Sequence, residues 1–547
     1  MTLTSATTVA VERTPSVDSP RAPRESLRLT APLSIVALVM AVIAGVLVFV
    51  ATSKGAGVTY DSNFYLSAGF NLATGKGLVD FHGQTLVWYP PGYAIEFTIA
   101  HWIGVGFQSM DRFVSCLEIA ALVWLSHLLL RRHVRRDALV LAGTIMVGIA
   151  SPLLDVYDRV WSETAFLPLC LAFFLVLESL LKKPESRRLL GWAVAASSIA
   201  FLFRYVGLCL VPTGAIAIYL GLRDRGHRTA LESAGRFAAL GLIVPAVWFI
   251  RNDEVSGTFA GSRGTQVHGL SYVALHFFDT IGGWVWPAQM PPSSSRFALG
   301  VVVVVGGVLL VALFVARLLR ADKLSLRDAR SSQLLPLCAF LACYLVSYFI
   351  GDQGASTPAG VTRLASPIFI PLLVLGFAAA DRWLDVVRPR FARIALVAVM
   401  GLAVAGVVVQ AVSSGVDANG AARNGISYSA PNWTQNPFTL AAVALHVPSS
   451  TVVITNGGTF LYPALQRTLL PVPTRTSQPV PDWFVRKTAC SGGILMWTNL
   501  LGPGNSYQPI DLRKVMVLTQ LTSDADGQIY RLSALPGSTV CQHSSPT

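Results

Sequence analysis

The chain has 547 residues, of which 53% are hydrophobic and only 13% charged, and its formal net charge is +13. Apolar runs of about 18 or more residues recur, each long enough to cross a hydrocarbon core of about 30 Å, which excludes an ordinary soluble enzyme. A nucleic-acid partner is excluded too, because no basic stripe interleaves with aromatics on a soluble face.

The basic residues gather in alternate gaps between apolar runs: Arg131 to Arg136, Lys182 to Arg188, Arg223 to Arg228, Arg317 to Arg330 and Arg382 to Arg393. Roughly 25 of the 42 Lys and Arg residues lie in these gaps, at Arg236 or in the N-terminal tail, which marks them as cytoplasmic. Residues 1–29, rich in Ser, Thr, Pro and Arg, read as a disordered cytoplasmic tail. The run Ala31 to Thr52 is too long for the apolar core of a secretory signal, so it is an uncleaved first helix.

A polar and aromatic first outer loop, 53–108, follows. Its end, Gly92 to Gly106, is apolar but short and carries Glu96 and His101. It is expected to lie in the outer interface, because a crossing there would turn Arg131 to Arg136 outward. Further spans are expected at Val114–Leu130, Ala138–Leu154, Thr164–Leu181, Leu189–Phe203, Val206–Leu222, Ser233–Ile250, Phe297–Leu318, Leu334–Ile350, Ser366–Ala380 and Ile394–Val412. With the first helix that makes about eleven, N-terminus in and C-terminus out. The reading is a polytopic α-helical membrane domain over 30–412.

From about Ser413 the composition changes. Short β-type runs appear at Thr451–Thr455, Gly493–Trp497 and Lys514–Leu518, with a helix-like stretch at Thr459–Arg467. Residues 413–547 are therefore expected to form an extracytoplasmic α/β domain. Five of the seven cysteines lie in apolar runs, whereas Cys490 and Cys541 fall in this domain, where an oxidising compartment favours a disulfide.

Polar groups collect at the outer face in this topology. Asp61 lies in the first outer loop; Asp155, Asp158, Arg159 and Glu163 in the second outer gap; Arg204 and Tyr205 in the third; and Arg363 in the fifth. The fourth gap, Arg251 to Arg296, is long and includes Asn252, His268 and Trp284. Ionisable groups at membrane depth are costly to hold and usually functional. Plainer uses exist for several of them. Asp61 can cap a short helix from Ser62 to Leu72, Glu163 can simply open a helix at the interface, and Arg204 can snorkel or pair. Pro90-Pro91 can serve only to start the interfacial helix. His101 and His268 have no metal-ligand spacing, and a divalent metal is left open.

The ordered set Asp61, Tyr65, Ala68, Gly75-Lys76-Gly77 and Tyr89-Pro90-Pro91 resembles the start of the GT-C glycosyltransferases. It is closest to the protein O-mannosyltransferase and aminoarabinose-transferase superfamily. Asp158-Arg159-Val160-Trp161-Ser162-Glu163 is similar to that group's Arg and acidic residue opening the next helix. Phe203-Arg204-Tyr205-Val206-Gly207 resembles an Arg-Tyr-x-Gly of bacterial relatives, and Asn456, Leu461-Tyr462 and Arg467 resemble a segment of their outer domains. The resemblance implies an inverting glycosyltransferase that takes a sugar from a polyprenyl-phosphate donor to an extracytoplasmic acceptor, with the bilayer as its setting. It implies Asp61 as general base, Glu163 as a catalytic orienting group, and Arg204, Tyr205, Arg159, Asp158, Arg363 and Tyr89 as substrate-binding residues. Trp88-Tyr89 stands where aminoarabinose-transferring members have Glu-Lys, a departure that bears on any metal or charge role there. A transporter or flippase of lipid-linked sugars, or a polymer-binding scaffold, is the competing expectation; the first usually shows repeats or broken helices at the midplane.

Overall fold

The computed structural model describes residues 31–261, 269–285, 296–306, 309, 334–353, 362–386, 389–476, 478–502 and 504–541. Helices α1 (Ala31–Ala51), α2 (Tyr60–Ala73), α3 (Gly92–Trp102), α4 (Phe107–His133), α5 (Asp137–Gly148), α6 (Ser151–Tyr157), α7 (Glu163–Lys182) and α8 (Arg187–Phe203) come first. Then follow α9 (Leu210–Leu222), α10 (His227–Gly241), α11 (Ile243–Ser256) and α12 (Leu270–Val285). Three long helices, Leu335–Gln353, Thr362–Val386 and Pro389–Asn424, lead to the C-terminal region.

Among the described residues seven helical stretches are long and apolar enough to cross a membrane, or eight when the pair α5 and α6, bent by 40°, counts as one span. The expected Leu189–Phe203 and Leu334–Ile350 fall on shorter apolar helices, and half of Phe297–Leu318 lies outside the described residues. The last long helix continues past Val412 to Asn424.

Two kinds of apolar surface separate lining from centre. α1 exposes Ile35, Leu38, Val42, Val46 and Phe49, a stripe at three- and four-residue spacing. In water such a stripe would be an association hazard; against lipid it costs nothing. α7 is the opposite case, with Phe166, Phe173, Phe174 and Leu177 fully buried, because it runs through the middle of the bundle. α3 is two-sided: Tyr93, Ala94, Phe97 and Ala100 pack inward while Ile95, Ile99, Trp102 and Ile103 are exposed. That one-sided stripe suits a helix lying along an interface.

The two ends of α7 carry different chemistry. Glu178, fully buried, accepts from Arg132 at 2.9 Å and faces His133 at 2.9 Å, and Asp381 pairs with Arg136 at 2.7 Å. Glu163 opens the same helix four turns earlier, about 22 Å away at about 1.5 Å per residue. Charged groups therefore close the bundle at both ends, with an apolar middle between them.

The C-terminal region forms a sheet of β1 (Val453–Thr455), β2 (Leu470–Pro471), β3 (Ile494–Thr498), β4 (Met516–Ser523) and β5 (Gly527–Ala534), ordered β2-β1-β3-β5-β4. β1 runs parallel to β2 and β3, while β5 is antiparallel to both β3 and β4. Cys490 and Cys541 are disulfide-bonded. β5 was absent from the sequence-based expectation, although its Asp526-Gly527 opening is a hairpin signal.

The first loop is woven into both halves. Gly57 exchanges hydrogen bonds with Asp158 and Val160 at 2.8 and 3.0 Å, and the Tyr428 N–H donates to the Val58 carbonyl at 3.0 Å. Asn63 donates to the Thr459 carbonyl at 2.6 Å, and the Leu469 N–H to the Phe81 carbonyl at 2.8 Å. The three segments meet so closely at Gly57 that a Cβ there would lie 2.4 Å from Ile426 Cγ2 and 2.9 Å from Arg159 Cγ. Gly57→Ala is expected to destabilise the protein by about 1–3 kcal/mol through overpacking, read as a lower unfolding temperature in detergent; an unchanged temperature would show that these segments yield freely.

Candidate active site

Asp61 sits in the first turn of α2, where a carboxylate is favoured by the helix dipole. It does not cap that helix. Thr59 is the N-cap, in a capping box with Ser62, so the Asp61 carboxylate is free to face the bundle. There its Oδ1 accepts from the Tyr89 hydroxyl at 2.7 Å and its Oδ2 pairs with Arg363. Arg363 also approaches Glu163 at 3.5 Å through Nε, and Glu163 pairs with Arg204. Four charged side chains from four distant parts of the chain thus make one neutral cluster, two carboxylates against two guanidiniums. Glu163 is 1% exposed and the other three between 13 and 15%.

Each member is placed by local structure. Glu163 is the first residue of α7 and Arg363 the second of Thr362–Val386, so both point from helix N-termini. Arg204 lies in extended backbone between α8 and the short 3-10 turn Tyr205–Cys209. Trp161 forms a platform: the Arg363 guanidinium lies 4.8 Å and that of Arg159 5.0 Å from its ring centre, and its indole N–H donates to Thr59 at 2.9 Å. Burial pushes the Asp61 carboxyl up, but Arg363, the Tyr89 hydroxyl and Arg204 outweigh it and hold it below the usual carboxylate range. Burial and the Asp61 charge raise the Tyr89 hydroxyl well above an ordinary phenol, so it stays a donor.

The remaining expected residues divide. Tyr205 follows Arg204 in the chain, and its hydroxyl reaches the loop that carries Tyr89. Its hydroxyl donates to the Val87 carbonyl at 2.6 Å and accepts from Trp248 at 3.0 Å and Asn252 at 2.9 Å, while Arg251 holds the Leu86 carbonyl at 2.7 Å. This network fixes the backbone that delivers Tyr89 to Asp61. Asp158 and Arg159 form a second polar group against Trp161, where Arg159 bonds Asp155 at 2.5 Å and Asp158 at 2.9 Å. They line a cavity of about 520 Å³ with Asp279, Asp417, Arg296 and Thr362, the residue before Arg363. Trp161, Trp248 and Arg251 had no role in the sequence reading; for Trp161 the signal was its place between Arg159 and Glu163. His101 packs on Phe70, while His268 lies outside the described residues. Among the described residues no group of three or more His, Cys, Asp or Glu side chains is arranged to hold a metal ion.

Removing one member of a desolvated ion pair leaves its partner uncompensated, at about 3–5 kcal/mol for fully buried pairs. Arg204→Gln alone is expected to lower stability measurably, and the double variant Glu163→Gln/Arg204→Gln to recover most of the loss. A double variant no more stable than the single one would contradict the pairing.

No protein-family profile matches the sequence, and no curated protein matches it either. Solved structures do. ArnT from Cupriavidus metallidurans in the apo state is similar over 90% of this chain and 97% of its own, with a TM-score of 0.53 and 13% identity. The same protein bound to undecaprenyl phosphate gives a TM-score of 0.50 at 14% identity, over the same shares. Arabinofuranosyltransferase AftD from Mycobacteria matches 91% of this chain at a TM-score of 0.52 and 16% identity, with 40% of its own length covered. The chain has the fold of the GT-C membrane glycosyltransferases.

Proposed function

We propose that the protein is an inverting glycosyltransferase, with Asp61 as general base and a polyprenyl-phosphate-linked sugar as donor. The observation that carries this reading is the shared guanidinium of Arg363, which touches both Asp61 and Glu163 at one end of an apolar helical bundle. A GT-C fold seen elsewhere with undecaprenyl phosphate bound supports the donor class. The acceptor is a hydroxyl outside the cytoplasm, on a glycan, lipid or protein of the cell envelope. The cluster then faces outward, with Arg132, Arg136 and Glu178 at the cytoplasmic end.

In the reaction the acceptor oxygen forms a bond to the sugar's anomeric carbon and gives its proton to Asp61. The bond from that carbon to the phosphate oxygen breaks, and its electron pair leaves with the lipid phosphate. Arg363 and Arg204 stabilise that anion by charge-assisted hydrogen bonds, and Glu163 keeps both guanidiniums oriented. The cavity beyond Trp161, rich in Asp side chains that accept from hydroxyls, holds the donor sugar.

The cluster without substrate is neutral, and Asp61 in it is a weak base. A phosphate that draws Arg363 away removes the strongest influence holding the Asp61 carboxyl down, leaving the burial that pushes it up. Donor binding thereby creates the base, and a general base works best when its pKa rises toward the working pH.

Asp61→Asn is expected to lower transfer about 100- to 10,000-fold in a protein that still folds, with a somewhat lower unfolding temperature because Arg363 loses a partner; wild-type turnover in the purified variant would end the assignment. Because Asp61 must be ionised, activity falls as pH drops through its pKa. In Arg363→Gln, which removes a group that lowers that pKa, the acid limb of kcat/KM should move to higher pH, and an unmoved limb would uncouple the two residues. A reporter fused after Val412 should be active only outside the cytoplasm, and activity inside would reverse the orientation.

A further inference from the structure

A cavity of about 670 Å³ lies away from the charge cluster. It opens between the first loop and the C-terminal sheet region, and it is lined from both sides. The loop supplies Lys76, Phe81 and His82, and the sheet region supplies Tyr462, Arg467 and Lys487. Its size falls within the range of sites for small organic ligands.

Its charge is one-sided. Lys76, Arg467 and Lys487 line it, and no carboxylate does among the described residues. The nearest acid in the loop, Asp80, is 2% exposed and its Oδ1 is turned inward, accepting from the backbone N–H groups of His82 and Gln84 at 2.9 Å each. Arg467 is held by backbone: it donates to the carbonyls of Val447 at 2.8 Å and Pro448 at 3.0 Å, so its position is set while its charge stays uncompensated. Lys76 stands between Gly75 and Gly77, whose φ angles of 79° and 81° turn the chain so that its side chain reaches solvent. Burial lowers His82 to about 4, so its ring is a neutral, partly exposed face near physiological pH.

The cavity is joined to the cluster by rings. Tyr60, half-exposed, lies next to Asp61 in the chain and packs on Phe81 at 6.1 Å and His82 at 6.5 Å between centroids. Flat aromatic faces suit the apolar faces of sugar rings, and the cations suit carboxylates carried by those sugars.

We propose that this cavity binds an anionic oligosaccharide, the part of the acceptor chain distal to the reacting hydroxyl. The inference rests on the transferase reading for its purpose, but the binding is separable from the chemistry. Tyr60 and His82 form the passage from the bound chain to Asp61. The donor and acceptor then approach from opposite sides, the donor sugar beyond Trp161 and the acceptor over Tyr60.

The test is calorimetric titration of the full chain in nanodiscs with a galacturonic acid oligosaccharide and with its carboxyl-reduced, neutral counterpart. The acidic sugar should bind and the neutral one bind roughly tenfold more weakly or not at all, with added salt weakening the acidic sugar alone. The exposed double variant Lys76→Gln/Lys487→Gln should lose roughly tenfold in affinity, and Lys76→Arg/Lys487→Arg should keep it. Equal binding of both sugars, no binding of either, or an unaffected Gln variant would overturn the proposal. Asp61→Asn should bind the acidic sugar as the native protein does, even with transfer abolished. Loss of binding in that variant would place the sugar at the charge cluster and not in this cavity.

Discussion

Everything at the loop-bearing end of the bundle depends on one constraint, the need to keep Asp61, Glu163, Arg204 and Arg363 together away from bulk water. A single buried charge is expensive, and a pair is tolerated only with close geometry. Two pairs sharing Arg363 are held because each side chain starts from a fixed backbone point: three from first turns of helices and Arg204 from an extended corner. The arrangement is balanced without substrate. In the proposed reaction an entering phosphate would add negative charge and draw on one of the guanidiniums, which would make substrate binding and rearrangement of the cluster one event.

The same end is where the two halves of the protein meet. The first loop hydrogen-bonds to the segment before α7 through Gly57 and to the C-terminal region through Val58, Asn63 and Phe81. A sheet domain tethered only by its connecting helix would move independently. Here α2 carries Asp61 on one side and contacts Gly458–Leu465 through Asn63 on the other, so position in one half is transmitted to the other. Tyr205, Asn252, Trp248 and Arg251 do comparable work from the 3-10 turn after α8 and from α11, gripping the backbone of Leu86 and Val87. They support Tyr89 through the backbone that precedes it.

Much of this was legible in the chain. Long apolar runs can satisfy their backbone only as helices, so their existence and rough limits follow from composition. The membrane side expected for the polar gaps rests on where Lys and Arg collect. Asp61, Glu163, Arg204 and Arg363 could each be singled out because a charge beside an apolar run is unusual. What local sequence left open was the use of neighbours. Asp61 is a good N-cap residue, yet Thr59 takes that place and leaves the carboxylate for Arg363. Asp158-Arg159 sits four residues before Glu163 and belongs to a separate group beyond Trp161.

By itself, then, the sequence determined the class of element and the kinds of charge at each end, because hydrophobic length and charge placement are properties of single segments. Which charge meets which was decided only by tertiary structure. Asp61 and Arg363 are hundreds of residues apart, as are Asn63 and Thr459, and no periodicity within one segment encodes such pairings. The basic cavity between loop and sheet is the clearest case: Lys76, Arg467 and Lys487 are unremarkable singly, and they line one cavity only when the first loop docks on the sheet region through Phe81 and Leu469.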